Sequence, residues 1–582
     1  MAGAIQLLPR PHALKFVRAS KLPYRIQRQS SGAVSPGDFS DLEALYREAP
    51  EYFNFARDVL DNWSQKEKDG RRPSSPALWW VGDQGEEVQW GFEELGFLSR
   101  KAAEVLSQAC GLRKGDRVIV ILPRVPEWWL ITVGCIRAGI VFIPATVLLT
   151  AEDIQYRLQI SKAKCIITND VVVPLVDSVA SECPLLERRM LVSKGGSREG
   201  WLNFHALLEA ASDEHQPVQT KSQDPMTIYF SSGTTGYPKM VEHSCSSLGI
   251  GLIASARYWM KLTPSDTMWG LTDTGWVKFA YSSLFSPWMV GATIFSHGML
   301  QFKPTVVLNS LAKYPVTTFC GTPTIFRMLL QHDVSRYNFK SLTACLSGGE
   351  PINPEVIRQW KAQTGVDIYE GYGQTETTLV CFRSKEMKFK PGYIGKPCPP
   401  FQIQIIDEDC NQLPPGKEGD IAIRIKPKRP LGLFSGYVDD PEKTASTERG
   451  DFYITGDRGI MDKDGYIQFV SRADDIILSA GYRIGPYEVE HALSGHPAVA
   501  ESAVVSSPDP VRGEVVKAFI ILSPAYQSHD KEQLTLELQK YVKEVTAPYK
   551  YPRKIEFVQN LPKTISGKVQ RKVLRKKEWE KV

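Results

Sequence analysis

The sequence predicts an α/β protein in which a large N-terminal domain of helix-covered, mostly parallel sheets carries a small β-rich subdomain and is followed by a small α+β C-terminal unit. Three observations predict it. From about residue 78, short apolar runs alternate with helical stretches, the pattern of parallel strands joined by crossover helices. From about residue 393 the strands shorten and are separated by Pro- and Gly-rich turns such as Pro414-Pro415-Gly416 and Asp464-Gly465. The chain has 582 residues, more than one hydrophobic core serves.

Each element has a local reason. Residues 118–122 are an apolar run bounded by Gly115-Asp116 and Pro123, hence a strand. Pro126 suits the first turn of a helix and Glu127 suits its positive end; the helix runs to about Arg137 and Gly139 ends it. Residues 141–143 form the next strand, 151–160 a helix and 165–168 a further strand. The longest apolar stretch, 128–149, is broken by Arg137, Gly139 and Pro144, so it reads as strand–helix–strand and not as a membrane span. Residues 401–406, 420–425 and 466–470 are the strands of the β-rich subdomain. A polar joint, Ser471-Arg472-Ala473-Asp474-Asp475, follows; beyond it come strands at 503–505, 516–522 and 555–558 and a helix near 532–545. The expected division is therefore an arm at 1–37, a large domain at 38–470, a hinge at 471–475 and a small domain at 476–582.

Composition narrows the function classes. Apolar residues are 42% and charged residues 23% of the chain, enough for a packed core and too apolar for wholesale disorder. The formal charge is +5, but residues 1–37 hold six Lys or Arg and no acid, and the remainder is balanced to within one charge. Nothing asks for a nucleic-acid partner. The arm is basic, acid-free and Ser-containing with interspersed Leu, Ile and Phe, the make-up of a mitochondrial transit peptide or of a basic tail; Pro9, Arg10 and Pro11 interrupt any secretory apolar core. Ten cysteines scattered from Cys110 to Cys410, none in a C-x-x-C pair, read as buried thiols and not as disulfides or a zinc site.

The segment Ser231-Ser232-Gly233-Thr234-Thr235-Gly236-Tyr237-Pro238-Lys239 follows the apolar run Ile228-Tyr229-Phe230. Its glycines allow close backbone approach, its hydroxyls and N–H groups can donate to phosphate, and Lys239 adds a cation. It is not a Walker A loop, because Lys239 lies three residues after Gly236 and Met240 follows it. By itself it is equally a polar surface turn.

The segment resembles the phosphate-binding loop of the adenylate-forming superfamily, with Ser231 where the family has Thr. Further segments resemble the same family in order: Gly349-Glu350-Pro351 beside the adenine, Glu370-Gly371-Tyr372-Gly373-Gln374-Thr375-Glu376 for adenine stacking and the acyl site, Tyr453-Ile454-Thr455-Gly456-Asp457 with Arg472 for the ribose, and Leu561-Pro562-Lys563-Thr564-Ile565-Ser566-Gly567-Lys568. The resemblance implies catalytic roles for Lys568, Thr375 and Glu376, with Glu376 associated with Mg²⁺ (or Mn²⁺). A lone carboxylate suits Mg²⁺ when substrate phosphates complete the shell. Apart from the family, Asp457 and Arg472 read as an ordinary solvated ion pair, and the Lys568 stretch as a basic tail.

Within the superfamily the chain resembles the mitochondrial medium-chain acyl-CoA synthetases, on Leu122-Pro123-Arg124-Val125-Pro126-Glu127-Trp128-Trp129, Asp273-Thr274-Gly275-Trp276, residues 479–486, 506–514 and 546–553. That resemblance implies that ATP and an acid give acyl-AMP, that the C-terminal domain is mobile and turns about Asp474, and that coenzyme A then takes the acyl group. It implies coenzyme A contacts from Ala480, Gly481, Tyr482, Arg483, Arg512, Lys543, Tyr551, Pro552 and Arg553, though such basic residues are equally solvated ones. It implies an acyl pocket lined by Trp276, Gly321 and Thr322, with Leu148 where relatives often carry Gln; a Trp is more often core packing. The expected partners are small molecules only, the expected state a monomer with no membrane span, and the expected place the mitochondrial matrix. Competing readings are a relative acting on aromatic acids such as benzoate, a carrier-acylating or luciferase-like enzyme, and a non-catalytic acyl- or nucleotide-binding homologue.

Overall fold

The computed structural model describes residues 49–231, 238–299, 301–479, 482–510, 512–564 and 567–580; the basic arm lies outside them. Among the described residues the strands form four sheets. An eight-stranded sheet has Arg117–Ile121 and its parallel neighbours Val141–Ala145 and Cys165–Asn169 at its centre. A nine-stranded sheet has the parallel strands Thr267–Gly270, Thr318–Gly321, Ala344–Gly348 and Ile368–Gln374 in its middle and antiparallel strands at its edges.

The helix Pro126–Ala138 lies between these two sheets. Pro126 stands at its first turn, and Gly139 ends it in the left-handed region at φ +66°. Every residue but Glu127 is buried, which is what a helix apolar all round requires. Its Trp128 and Trp129 join one core with Leu78, Trp80 and Ile294 of the nine-stranded sheet and Val118, Val120 and Phe142 of the eight-stranded one. The long apolar stretch is thus helix then strand, with the first strand preceding it. Buried Arg137 is neutralised by Asp61 (2.9 Å from Nη1) and bonds Ser99. Nine of the ten cysteines are buried and all ten are free.

The third sheet comprises Ile403–Ile406, Glu418–Arg424, Glu448–Arg449, Phe452–Met461 and Ile467–Arg472. After the turn at 473–475 the fourth sheet begins with Ile477–Ser479; its long hairpin pairs Val499–Asp509 with Gly513–Leu522. Alternation decides which helix covers which face. Val504, Ala518 and Ile520 pack against Pro486–Ser494 and Lys531–Val545, while Ala503, Val505 and Phe519 pack against Leu574 of Arg571–Trp579. No helix among the described residues is long and apolar enough to cross a membrane.

Candidate active site

The parallel strands end at one cleft, of about 1480 Å³, outside their carboxyl ends, where open α/β sheets bind ligands. Ser231 ends the strand Pro225–Ser231 and pairs with Lys239, which opens the return strand Lys239–Ser244. Both line the cleft with Pro238; Ser232, Gly233, Thr234, Thr235, Gly236 and Tyr237 lie outside the described residues. The Lys239 ammonium sits over the Tyr437 ring at 5.5 Å, and burial, then nearby Lys443, lowers its pKa.

Strand Ala344–Gly348 delivers Gly349, Glu350 and Pro351 to the wall. Gly349 has φ +96°, open to glycine and strained for other residues. Glu350 Oε1 is buried without a hydrogen bond among the described residues. Strand Ile368–Gln374 lines the floor next to it. Burial raises the Glu370 carboxyl to about 8, although Ile352 N–H donates to its Oε1 at 3.3 Å. Tyr372 also lines the cleft, and its hydroxyl is engaged, donating to Asp457 Oδ2.

Asp457 and Arg472 face each other as register partners of neighbouring antiparallel strands, so their sequence separation is that of a hairpin. Asp457 is 3% exposed and accepts from Arg472 Nη1 at 2.9 Å, from Gln374 Nε2 at 2.7 Å and from Tyr372. It is therefore not a solvated surface pair. Burial outweighs this pairing and raises its pKa. With about four acceptor positions on a carboxylate, three are in use, which leaves about one for a further donor.

Thr375 and Glu376 occupy the turn after this strand and line the cleft. The Thr375 carbonyl accepts from His243 Nε2 at 2.6 Å. His243 is fully buried and burial lowers its pKa to about 4, so it is neutral near pH 7, with Nδ1 3.0 Å from the Ser247 hydroxyl. Glu376 Oε1 accepts from Tyr437 at 3.0 Å, and Glu376 lines the cleft together with Lys239 and Lys443. That donor set fits a divalent cation shared with substrate phosphates. The described residues hold no cluster of three or more His, Cys, Asp or Glu that would bind a metal unaided.

Lys568 enters from the C-terminal unit. A short hairpin presents it: Thr564 N–H donates to its carbonyl at 2.7 Å, and Gly567 turns the chain at φ +84°. It lines the cleft, where burial lowers its pKa; the charges of Glu350, Asp457 and Glu376 act to raise it and that of Arg472 to lower it further. Asn353 Nδ2 to Ser494 (2.6 Å) and Tyr487 OH to Ile352 O (3.4 Å) join the two parts of the chain beside it. At the turn 473–475, Arg575 donates to the Asp474 carbonyl at 2.7 Å, and Arg472 Nε is 3.7 Å from the Asp474 carboxylate.

Trp276 and Thr322 line the cleft, so Trp276 is a wall and not only packing; Gly321 contributes its carbonyl to Lys278. Leu148 does not line it. The strand ends at Ala145, the turn bonds Leu148 N–H to Thr146 Oγ1, and this leaves Leu148 61% exposed while Leu149 is buried. Leu148 therefore adds no apolar surface to the cleft, a correction to the expectation above.

The residues expected to contact coenzyme A gather elsewhere, on the C-terminal unit, and none of the described ones lines the cleft. Tyr482 stacks on Tyr549 at 4.3 Å, Lys543 and Arg553 lie over the Tyr551 ring at 4.0 and 4.8 Å, and Pro552 is buried. Arg512 is exposed in a turn. Ala480 and Gly481 lie outside the described residues, as does the Arg483 side chain.

Sequence reasoning missed His243, Lys278, Tyr437 and Lys443. Lys278 and Lys443 are cleft cations that belong to no quoted motif. His243 meets Thr375 across 132 residues, a pairing no local pattern signals.

The AMP-binding enzyme family model matches residues 66–438, and the AMP-binding enzyme C-terminal domain model matches 488–568. The chain is 60% identical over 562 residues to acyl-coenzyme A synthetase ACSM3, mitochondrial, of Homo sapiens, covering 96% of each. It is 58% identical over 573 residues to acyl-coenzyme A synthetase ACSM4, mitochondrial, of Homo sapiens, covering 98% of this chain and 99% of that one. Among solved structures it is similar to the anthranilate CoA ligase AuaEII in complex with anthranoyl-AMP (TM-score 0.83, 28% identity, 92% of this chain and 99% of that one). It is also similar to the Brucella canis acyl-CoA synthetase (TM-score 0.70, 34% identity, 94% and 98%).

Proposed function

The chain belongs to the AMP-binding enzyme family and, within it, to the medium-chain acyl-CoA synthetases, and on that premise we propose how its residues divide the work of making acyl-CoA from an acid, ATP and coenzyme A. The protein is an acid–thiol ligase. The observation that carries the residue assignment is the meeting, in one cleft, of the Asp457–Arg472 pair, Glu376 and Lys568.

The adenine lies between Gly349-Glu350-Pro351 and the Tyr372 ring, and the ribose meets Asp457 and Arg472. The triphosphate runs toward Lys239 and Lys443, with the loop from Ser231 to Lys239 around its β- and γ-phosphates. A carboxylate oxygen of the acid attacks the α-phosphorus, the bond to the β-phosphate oxygen breaks, and pyrophosphate leaves. Two anions must approach for this, and Lys568, a point cation in a partly dry cleft, offsets the charge that builds on the phosphoryl oxygens. Thr375, its carbonyl held by neutral His243, is positioned to bond the phosphate or the carboxylate. Mg²⁺, held by Glu376 and the phosphates, would neutralise further charge there.

The C-terminal domain, 476–582, then turns about the hinge at 471–475. Lys568 leaves, the loop at 480–486 enters, and the thiolate of coenzyme A attacks the acyl carbon as the bond to AMP breaks. Tyr482, Arg483, Arg512, Lys543 and the Tyr551-Pro552-Arg553 turn guide the coenzyme. The acid is of medium chain length, such as hexanoate or octanoate, and the enzyme is a monomer. The protein is mitochondrial, as the names of its relatives are, and the basic arm directs it to the matrix.

The test is ATP–pyrophosphate exchange dependent on hexanoate, octanoate or benzoate, followed by thioester formation on adding coenzyme A. Exchange with no acid from acetate to palmitate would end the reading.

A further inference from the structure

The part of the cleft wall next to Trp276, the residue expected to line the acyl pocket, contains an ammonium that nothing in the proposed chemistry uses. Lys278 follows Trp276 by two residues, in the short helix Val277–Ala280. Its Nζ donates to Gly321 O at 2.9 Å and to Gly348 O at 2.7 Å, the last carbonyls of the neighbouring strands Thr318–Gly321 and Ala344–Gly348. It lines the cleft, as do Trp276, Val277, Ile325 and Met328. No carboxylate among the described residues forms an ion pair with it; after burial, the groups that act on its charge are Cys320 and Glu350, which favour it, and Lys568, which opposes it. Burial consequently lowers its pKa.

An ammonium has three protons, and two are spent on carbonyls. A saturated hydrocarbon chain laid along this wall covers the third and supplies no acceptor, which is unfavourable for a buried charge. An acyl chain with an oxygen at the right carbon supplies one. We propose that Lys278 makes this cleft prefer carboxylic acids bearing a hydrogen-bond acceptor on the acyl chain, such as an oxo oxygen, over the plain hydrocarbon acid of equal length. The preference rests on the acyl-CoA synthetase reading above. It is distinct from a contact with the reacting carboxylate, which would affect every acid alike.

The experiment compares kcat/KM for octanoate with that for its 4-, 5-, 6- and 7-oxo derivatives, in the wild type and in Lys278→Met. The expected result is that at least one oxo acid exceeds octanoate in the wild type and that this ratio falls by about 10-fold or more in the variant, the usual worth of a hydrogen bond to a charged group, with KM for ATP unchanged. Ratios that stay within about 2-fold for every isomer would overturn the proposal, as would a loss equal for all the acids. Thermal unfolding checks that the variant folds. If Lys278→Met does not, Lys278→Gln keeps a neutral donor for the two carbonyls and is held to the same ratios. A wild type that makes no thioester from any acid would instead remove the ligase reading on which the preference depends.

Discussion

Asp457 and Lys568 bring opposite charges to the same cleft, but they are held in opposite ways. Asp457 sits inside a sheet, 3% exposed, with Arg472 as its register partner and Gln374 and Tyr372 bonded to its carboxylate. Lys568 comes from another part of the chain, on a hairpin turned by Gly567, and its ammonium forms no ion pair or hydrogen bond among the described residues. A group locked by three partners suits a ligand that stays through both half-reactions, as AMP does. A group steered only by field and cavity shape can arrive for one step and leave without stranding a buried partner. On the proposed division of work, the difference teaches that rigidity in this site would follow how long each contact is needed.

That contrast can be broken in graded ways. Lys568→Ala should lower exchange on the order of 10³-fold, the loss typical of a cation or donor that serves the transition state, while thioester formation from supplied acyl-AMP continues. Equal loss in both assays would put Lys568 in the fixed class with Asp457. Asp457→Ala should behave differently, lowering stability by about 3 kcal/mol as well as raising KM for ATP, because Arg472, Gln374 and Tyr372 lose a common buried acceptor. Urea unfolding monitored by tryptophan fluorescence measures it; an unchanged midpoint would make the pair as dispensable as a surface one.

His243 sharpens the fixed side through pH. Its folded pKa, about 4, lies below the ordinary 6.5, so between those values the unfolded chain binds the extra proton. Its contribution is fully present above 6.5 and is lost as the pH falls toward 4, amounting to about 2 kcal/mol between pH 7 and pH 5. Denaturation midpoints of wild type and His243→Gln should converge on acidification; parallel curves would deny the burial argument. On the mobile side, Arg575→Ala removes the bond to the Asp474 carbonyl and should slow exchange by roughly 5-fold while sparing thioester formation, a bias of about 1 kcal/mol between the two arrangements. Smallest of all, Glu370→Gln should keep exchange at pH 7 within about 2-fold, since burial already holds that carboxyl largely protonated and the amide oxygen still accepts from Ile352 N–H. A large loss would mean that the ionised form is the working one.

Much of the fold is legible in the chain because its signals are local. Pro126, Glu127 and Gly139 mark a helix to within a residue, and the alternation around residues 118–168 yields parallel strands at the expected places. The hairpin that opposes Asp457 to Arg472 is equally local, set by strand pairing over fifteen residues. Other features depend on distance in sequence. His243 reaches Thr375, Lys278 bridges two strand ends, and Lys443 arrives from a five-residue helix. Leu148 misled for the same reason: its neighbourhood in sequence is near the cleft, but one step along a turn points it outward while Leu149 points in.

The sequence by itself determined the periodicities, the capping residues and the set of groups able to serve adenylation, because propensity, turn chemistry and ionisable groups are properties of residues and their near neighbours. Only the tertiary structure decided which of those groups share a cleft, which acceptors on Asp457 are already occupied and which lysine bonds two strand-end carbonyls. Those outcomes depend on where strands far apart in the chain end together, and on how much water each charge loses there.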